Sequence, residues 1–156
     1  MNQAAEGEYQ RMRAGRPVSV SAAFEGTETI GQARDQARSF LADLRHTHGL
    51  TVSETATDLV ELVVSELVTN TRKYAPGPYL LSLELRDGLV EVSVWDSNPS
   101  LPSISPPDPY RVGRHGLEIV MATAQSFRIQ RETVGKSITA SVSLTDPSDR
   151  DSDHRS

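Results

Sequence analysis

Hydrophobic and polar residues alternate in two neighbouring segments in the middle of the chain. The first segment begins at Tyr79, the second ends at Val94, and Asp87-Gly88 stands between them. A period of two is typical of half-buried strands, and Asp-Gly forms tight hairpin turns. The pattern therefore predicts a β-hairpin. One face of this hairpin carries Leu81, Leu83, Leu85, Val90, Val92 and Val94.

Two segments before the hairpin have hydrophobic residues at intervals of three and four, which is the spacing of an amphipathic helix. The first follows a short alternating strand, Val18–Phe24, and Gly26, and it runs to about His46. Thr27 and Thr29 are both suitable caps for its first turn. The second opens at Ser53 and stops before the Pro76-Gly77 pair. Two helices therefore precede the hairpin.

The remaining segment combines a long loop with shorter elements. The loop from Ser97 to about Gly113 holds five of the nine prolines, and loops of this length usually carry function. A helix over Gly116–Ala124, a strand over Phe127–Arg131 and a last strand around Ile138 follow. Helices interleaved with hairpins favour an α/β two-layer sandwich, with a mixed, mostly antiparallel sheet and the helices on one face.

Length and composition narrow the class of protein. A chain of 156 residues with 37% hydrophobic content suits one domain, which we place at residues 17–145. Residues 1–16 and 146–156 are polar or charged without a pattern, so we expect two disordered tails. No apolar run is long enough for a membrane span or a signal sequence, so we expect a cytoplasmic protein. The net charge of −5 argues against direct nucleic-acid binding, and the lack of cysteine excludes thiolate chemistry.

Polar residues interrupt the apolar patterns at three positions. On the helix from Ser53, Asn70 falls within the apolar arc, and Glu66, four residues earlier, falls at its edge. Asp96 has the parity of Val94 and is predicted to face the interior from the end of its strand. A buried polar group costs several kcal/mol unless it has a partner, so each position indicates a ligand or a local bond. Local backbone bonds on the helix remain an alternative.

An ordinary turn also remains open as an alternative at Asp96, whose carboxylate can bond the backbone of Ser97 and Asn98. With a ligand, the same carboxylate would accept a hydrogen bond from a buried amine.

Two glycine-containing segments have features of anion-binding sites, but each is a less specific signal than the three polar positions. Gly113-Arg114-His115-Gly116 leads into a helix, where backbone N–H groups and the helix dipole favour an anion. Gly135-Lys136-Ser137 is similar to the end of a P-loop, but it precedes a strand and lacks the upstream glycine. A Walker-type ATPase is therefore excluded.

Four segments in order, SELVTNTRKYAPG, VWDSNP, GRHGL and VGKSITA, resemble the nucleotide-binding segments of the GHKL ATPase superfamily. The first resembles its N box, Glu-x-x-x-Asn, and the continuation through Lys73, Tyr74 and Pro76 is similar to histidine kinases. The compact length resembles bacterial anti-sigma-factor serine/threonine kinases. The resemblance covers roughly residues 18–144 and implies a Bergerat fold that binds ATP and Mg²⁺.

The resemblance also implies roles for individual residues. Glu66 would orient or deprotonate the attacking group, and Asn70 would hold magnesium. Asp96 would accept a hydrogen bond from the adenine amino group, and Lys73 would reach phosphate. Ser137 matches a Ser/Thr position of the family, although strand parity places it opposite Ile138.

The loop between Asp96 and Gly113 would be the ATP lid. The lid end, which comprises Gly113, His115, Gly116 and Leu117, would wrap the phosphates, with Arg111 or Arg114 neutralising charge on the transferring group. The sequence departs from the family where Asp96-Ser97-Asn98 replaces Asp-x-Gly. A second departure is that two residues separate Gly113 from Gly116, where the family has Gly-x-Gly.

The resemblance implies a kinase that phosphorylates a serine or threonine of a STAS-type anti-anti-sigma partner, sequesters a sigma factor and forms a homodimer. A nucleotide-binding interaction module without transfer is the alternative, which the altered glycines favour. A histidine-kinase catalytic domain is less well supported, because no long coiled-coil helices with a phospho-accepting histidine precede the domain.

Overall fold

A computed structural model describes residues 18–98 and 116–145 of the chain. The elements agree closely with those predicted from hydrophobic spacing. In chain order they are β1 (Val18–Phe24), α1 (Ile30–His46), α2 (Glu54–Tyr74), β2 (Tyr79–Arg86), β3 (Leu89–Asp96), α3 (Gly116–Thr123), β4 (Ser126–Arg131) and β5 (Lys136–Ser143).

The helices begin where their capping residues predict. The Thr29 side chain accepts a hydrogen bond from the Gln32 backbone N–H at 3.2 Å, and the Gln32 side chain accepts one from the Thr29 N–H at 2.9 Å. This reciprocal capping box selects Thr29 over Thr27. At the start of α2, the Ser53 hydroxyl accepts a hydrogen bond from the Ala56 N–H at 3.0 Å. Both caps satisfy backbone donors that have no partner within their helix.

The five described strands form one sheet in the order β1-β2-β3-β5-β4. All four pairings are antiparallel, so the expected mixed sheet is antiparallel throughout its described pairings. The strands β3 and β4, which α3 connects, run parallel to each other. They do not pair, because β5 lies between them and is antiparallel to both. The predicted two-layer α/β architecture is confirmed.

The hydrophobic core lies between the helices and one face of the sheet. Burial alternates along β3, where every second residue from Val90 to Asp96 is buried. The helix α2 supplies the other side of this core and packs against β3 and β5. Fully buried residues from both layers include Val60, Val63, Leu67, Leu81, Leu83, Val92 and Ile138. The same face therefore holds both the core and, at its end, Asp96.

Candidate functional site

Asp96 is the last residue of β3 and faces the helices, as its parity predicted. It is 2% exposed, next to a row of buried valines. Its register partners are Tyr79 on β2 and Lys136 on β5. A carboxylate this deeply buried requires hydrogen-bond donors, because water is excluded from its surroundings.

The two oxygens of the Asp96 carboxylate have different surroundings. Oδ1 accepts a hydrogen bond from the Asn98 backbone N–H at 2.8 Å and another from Lys136 Nζ at 2.9 Å. Oδ2 is buried and has no hydrogen-bond partner among the described residues. Most buried polar atoms in proteins are paired, so an unpaired carboxylate oxygen indicates a place for an external donor. The turn that the sequence left open as an alternative is present, and it uses only one oxygen.

Lys136 is the residue of this site that the sequence analysis missed. Its side chain is 4% exposed, and Nζ also donates to the Asn98 carbonyl oxygen at 3.1 Å. The ammonium therefore bonds both the carboxylate and the turn that follows it. Its parity with Ile138 on β5 could have revealed it, since a charged residue on an otherwise apolar face is the same signal that identified Asp96.

Glu66 and Asn70 are both half-buried on α2. Three arginines of α1 contact α2 through the pairs Arg34–Ser65, Arg38–Glu61 and Arg45–Thr57. On a wheel of about 100° per residue, these α2 positions lie roughly opposite Glu66 and Asn70. The two predicted residues therefore lie on the flank of α2 that α1 leaves free. The helix that carries them packs over β3 and β5, the strands of Asp96 and Lys136.

Three other candidates make contacts of their own that do not involve Asp96 or Lys136. Lys73 is exposed, with Nζ 5.5 Å from the centre of the Tyr74 ring. Ser137 lies on the opposite face of the sheet from Asp96, as strand parity required, and its hydroxyl donates to Glu132 Oε1 at 2.9 Å. Leu117 is 4% exposed and belongs to the hydrophobic core. The structure does not bring these three side chains to the Asp96 carboxylate.

Several candidates lie outside the described residues. They are Arg111, Gly113, Arg114 and His115. Of the predicted lid, only Ser97 and Asn98 belong to the described part, and Gly116 is described as the first residue of α3. The roles of these residues remain predictions.

Tyr79, the register partner of Asp96 on β2, carries a second buried polar group, its hydroxyl. Its ring stacks on Phe24, with centroids 5.1 Å apart and the planes 9° from parallel. Burial raises the pKa of Tyr79, the Glu28 carboxylate raises it further, and Arg72 opposes the shift. The hydroxyl has no partner among the described residues, and the same is true of the Thr71 hydroxyl on α2.

The chemistry of the described groups suits an organic ligand with an amino group. Asp96 Oδ2 is a buried acceptor, and Lys136 supplies a buried cationic donor beside it. Within residues 18–98 and 116–145, no cluster of His, Asp or Glu side chains is arranged to hold a metal ion by itself. The same ranges contain no helix that is both long and apolar enough to cross a membrane.

Comparison with known proteins identifies the family. The family model described as Histidine kinase-like ATPase domain matches residues 27–142. No curated protein matches the chain. A solved structure of the RsbU and RsbW domains of Rv1364c from Mycobacterium tuberculosis is similar, with a TM-score of 0.59, 21% sequence identity and coverage of 83% of this chain and 33% of that one. This chain thus spans about a third of that structure, and the likeness concerns the fold.

A histidine kinase domain from a blue-light-activated histidine kinase of Erythrobacter litoralis is also similar, with a TM-score of 0.46 and 17% identity over 87% of this chain and 69% of that one. The family match is the stronger finding, because it runs from the approach to α1 to the end of β5 and includes most of the 156 residues. The chain belongs to the histidine kinase-like ATPase domain family.

Proposed function

We propose that this chain is an ATP-binding regulatory kinase whose adenine pocket is built around Asp96. The observation that carries the proposal is the unpartnered, buried Oδ2 of that carboxylate. The adenine amino group is a donor that this oxygen can accept, and burial strengthens a hydrogen bond to a charged group. Membership of the histidine kinase-like ATPase family supports the choice of ATP.

The side of α2 that carries Glu66 and Asn70 is proposed to meet the phosphates. Asn70 is an oxygen ligand suited to Mg²⁺, which binds one or two protein groups together with substrate phosphates. Glu66, one turn earlier, is proposed to orient or deprotonate the attacking hydroxyl. Both are half-buried, so they are partly shielded from water yet accessible from one side.

The lid residues complete the proposed site. The Gly113–Leu117 segment would wrap the phosphates at the start of α3, and Arg111 or Arg114 would neutralise charge on the transferring group. Lys73 is exposed one turn from Asn70 on α2, where a rotation of its long side chain would reach phosphate. Ser137 contributes to this proposal only if its side chain leaves the outer face of the sheet.

We further propose that the acceptor is a serine or threonine of a STAS-type anti-anti-sigma partner, and that the chain binds a sigma factor as a homodimer. The four sequence segments that resemble anti-sigma-factor kinases support this assignment. The likeness to a structure that contains an RsbW domain supports the fold on which such a kinase is built.

A nucleotide-binding module that transfers no phosphate is the second candidate. The observation that favours it is the turn at Asp96-Ser97-Asn98, where the family has Asp-x-Gly. The Asn98 N–H is bonded to Asp96 Oδ1, and asparagine adds a side chain at a position where the family's glycine has none.

The decisive experiment measures binding and transfer separately. Calorimetry of the full chain with Mg²⁺ and a non-hydrolysable ATP analogue tests the pocket. Incubation with labelled ATP and candidate anti-anti-sigma proteins tests the kinase. Binding with transfer to a serine or threonine supports the kinase. Binding without transfer to any partner supports the module, and failure to bind the analogue overturns the ATP site.

A further inference from the structure

Asp96 and Lys136 each have a polar group that makes no hydrogen bond among the described residues. Oδ1 of the carboxylate accepts two hydrogen bonds, and Oδ2 accepts none. An ammonium has three N–H donors, and the described contacts of Lys136 use two of them, to Asp96 Oδ1 and to the Asn98 carbonyl. A buried acceptor and a buried donor therefore lie side by side at the end of the β3–β5 pairing.

Both groups are held firmly in place. The two side chains are 3% and 4% exposed, and they belong to register partners on adjacent strands. The turn that starts at Asp96 is bonded to both of them. Water does not reach the unpaired Oδ2 or the remaining N–H of Lys136 while these bonds are intact, so a ligand that contacts both groups has to accept from one and donate to the other.

We infer that Lys136 binds the nucleotide base directly, by donating a hydrogen bond to adenine N1 while Asp96 Oδ2 accepts one from the neighbouring amino group. This inference rests on the proposed ATP site and adds a residue to it. The Watson–Crick edge of adenine carries a donor, the N6 amine, next to an acceptor, N1. The carboxylate and the ammonium present the complementary pair.

The inference has a specific energetic consequence. A hydrogen bond from a charged donor is roughly twice as strong as one between neutral groups. Removal of N1 from the base would leave the third N–H of the buried ammonium without an acceptor, and an unpaired buried donor is more costly than the loss of the bond alone. An ATP analogue without N1 should therefore bind markedly less tightly than ATP.

Two analogues separate the two contacts. In 1-deaza-ATP a C–H group replaces N1 and the amine is retained, whereas purine riboside triphosphate retains N1 and lacks the amine. We expect the wild-type chain to bind 1-deaza-ATP about ten- to a hundredfold more weakly than ATP, as measured by calorimetry. Purine riboside triphosphate should also bind more weakly than ATP, because it lacks the amine that donates to Asp96 Oδ2.

The Lys136→Met variant keeps much of the aliphatic stem and removes the donor. It should bind ATP more weakly than wild type and should no longer distinguish ATP from 1-deaza-ATP. Arg128→Met is the matched control, because it also removes one positive charge. Arg128 is exposed on β4 and forms an ion pair with Glu91. Glu91 lies on the opposite face of the sheet from Asp96. This control should retain the wild-type ratio between the two nucleotides.

Equal binding of ATP and 1-deaza-ATP by the wild-type chain would overturn the inference, whether or not the Lys136 variant folds. In that case a loss of affinity for purine riboside triphosphate would leave the ATP site intact. If the wild-type chain binds none of the three nucleotides, the proposed function fails and the role of Lys136 fails with it.

Discussion

Gly135 packs directly against the backbone of Asp96. A β-carbon built on Gly135 would lie 1.8 Å from the Asp96 carbonyl oxygen and 2.6 Å from the Ser97 Cα. The backbone φ of Gly135 is +79°, which is a conformation that residues with a β-carbon rarely adopt. Position 135 thus allows β5 to approach the end of β3, and it brings Lys136 within bonding distance of Asp96.

We therefore predict that Gly135→Ala lowers both stability and nucleotide affinity. The positive φ alone costs about 1–2 kcal/mol, and the clash with backbone atoms adds to it. Gly49→Ala is the matched control, because Gly49 has a φ of +64° but a β-carbon added there would have no atom within 4 Å. Urea unfolding should show a larger loss for Gly135→Ala. Equal losses would mean that the close approach is unimportant.

A second prediction separates binding from transfer. In Asp96→Asn, an amide that directs its NH₂ at the adenine amine leaves a buried donor unpaired. This costs roughly 1–3 kcal/mol, or about ten- to a hundredfold in ATP affinity. In Glu66→Gln, ATP binding should persist while phosphotransfer falls by about 10²–10⁴, the usual contribution of a general base.

Calorimetry and a phosphotransfer assay on both variants test this prediction. Circular dichroism should first show that each variant is folded, because Asp96→Asn also removes the counter-charge of the buried Lys136. Unchanged transfer by Glu66→Gln would mean that the residue has no catalytic role.

A third prediction concerns stability. Lys136→Met leaves the Asp96 carboxylate buried without a counter-charge, which is expected to cost about 3–5 kcal/mol in the free energy of unfolding. Adding Asp96→Asn should recover part of that loss, since the double variant has no uncompensated buried charge. Arg38→Met, which breaks the solvent-exposed contact between Arg38 and Glu61, should change the urea midpoint only slightly. Similar losses for Lys136→Met and Arg38→Met would contradict the buried-pair argument.

A fourth prediction follows from the raised pKa of Tyr79. Below about pH 10 the phenol is protonated in both the folded and the unfolded chain and adds no pH dependence. Above that pH the unfolded chain releases the proton first, so the free energy of unfolding should fall as the pH rises.

Tyr79→Phe should remove this part of the alkaline loss, as measured by urea unfolding between about pH 8 and pH 11, a range that spans the ordinary phenol pKa. At neutral pH the substitution should not lower the free energy of unfolding and should raise it by up to about 1–3 kcal/mol, because it removes a buried hydroxyl that has no partner among the described residues. Tyr74→Phe is the control, because Tyr74 is 38% exposed at the end of α2. This variant should retain the wild-type profile. An unchanged alkaline slope in Tyr79→Phe would contradict the prediction.

The sequence by itself determined the elements and the face on which each residue lies. Hydrophobic periods of two and of three to four follow from backbone geometry alone, so Asp96 could be assigned to the inner face before any fold was known. Caps such as Thr29 and Ser53 are also local, since their hydrogen bonds span three residues. The four motifs that resemble the family are also short segments, and their order along the chain is visible in the sequence itself.

Only the tertiary structure decided which residues meet. Lys136 reaches Asp96 because β5 returns beside β3, a pairing between residues 40 positions apart that no local pattern encodes. The two carboxylate oxygens of Asp96 also differ for this reason. Oδ1 is bonded by the long-range contact and by the Asn98 turn, whereas Oδ2 has no partner among the described residues. Parity assigns a side chain to a face of the sheet, whereas strand order and register determine its neighbours, and hydrogen bonding depends on those neighbours.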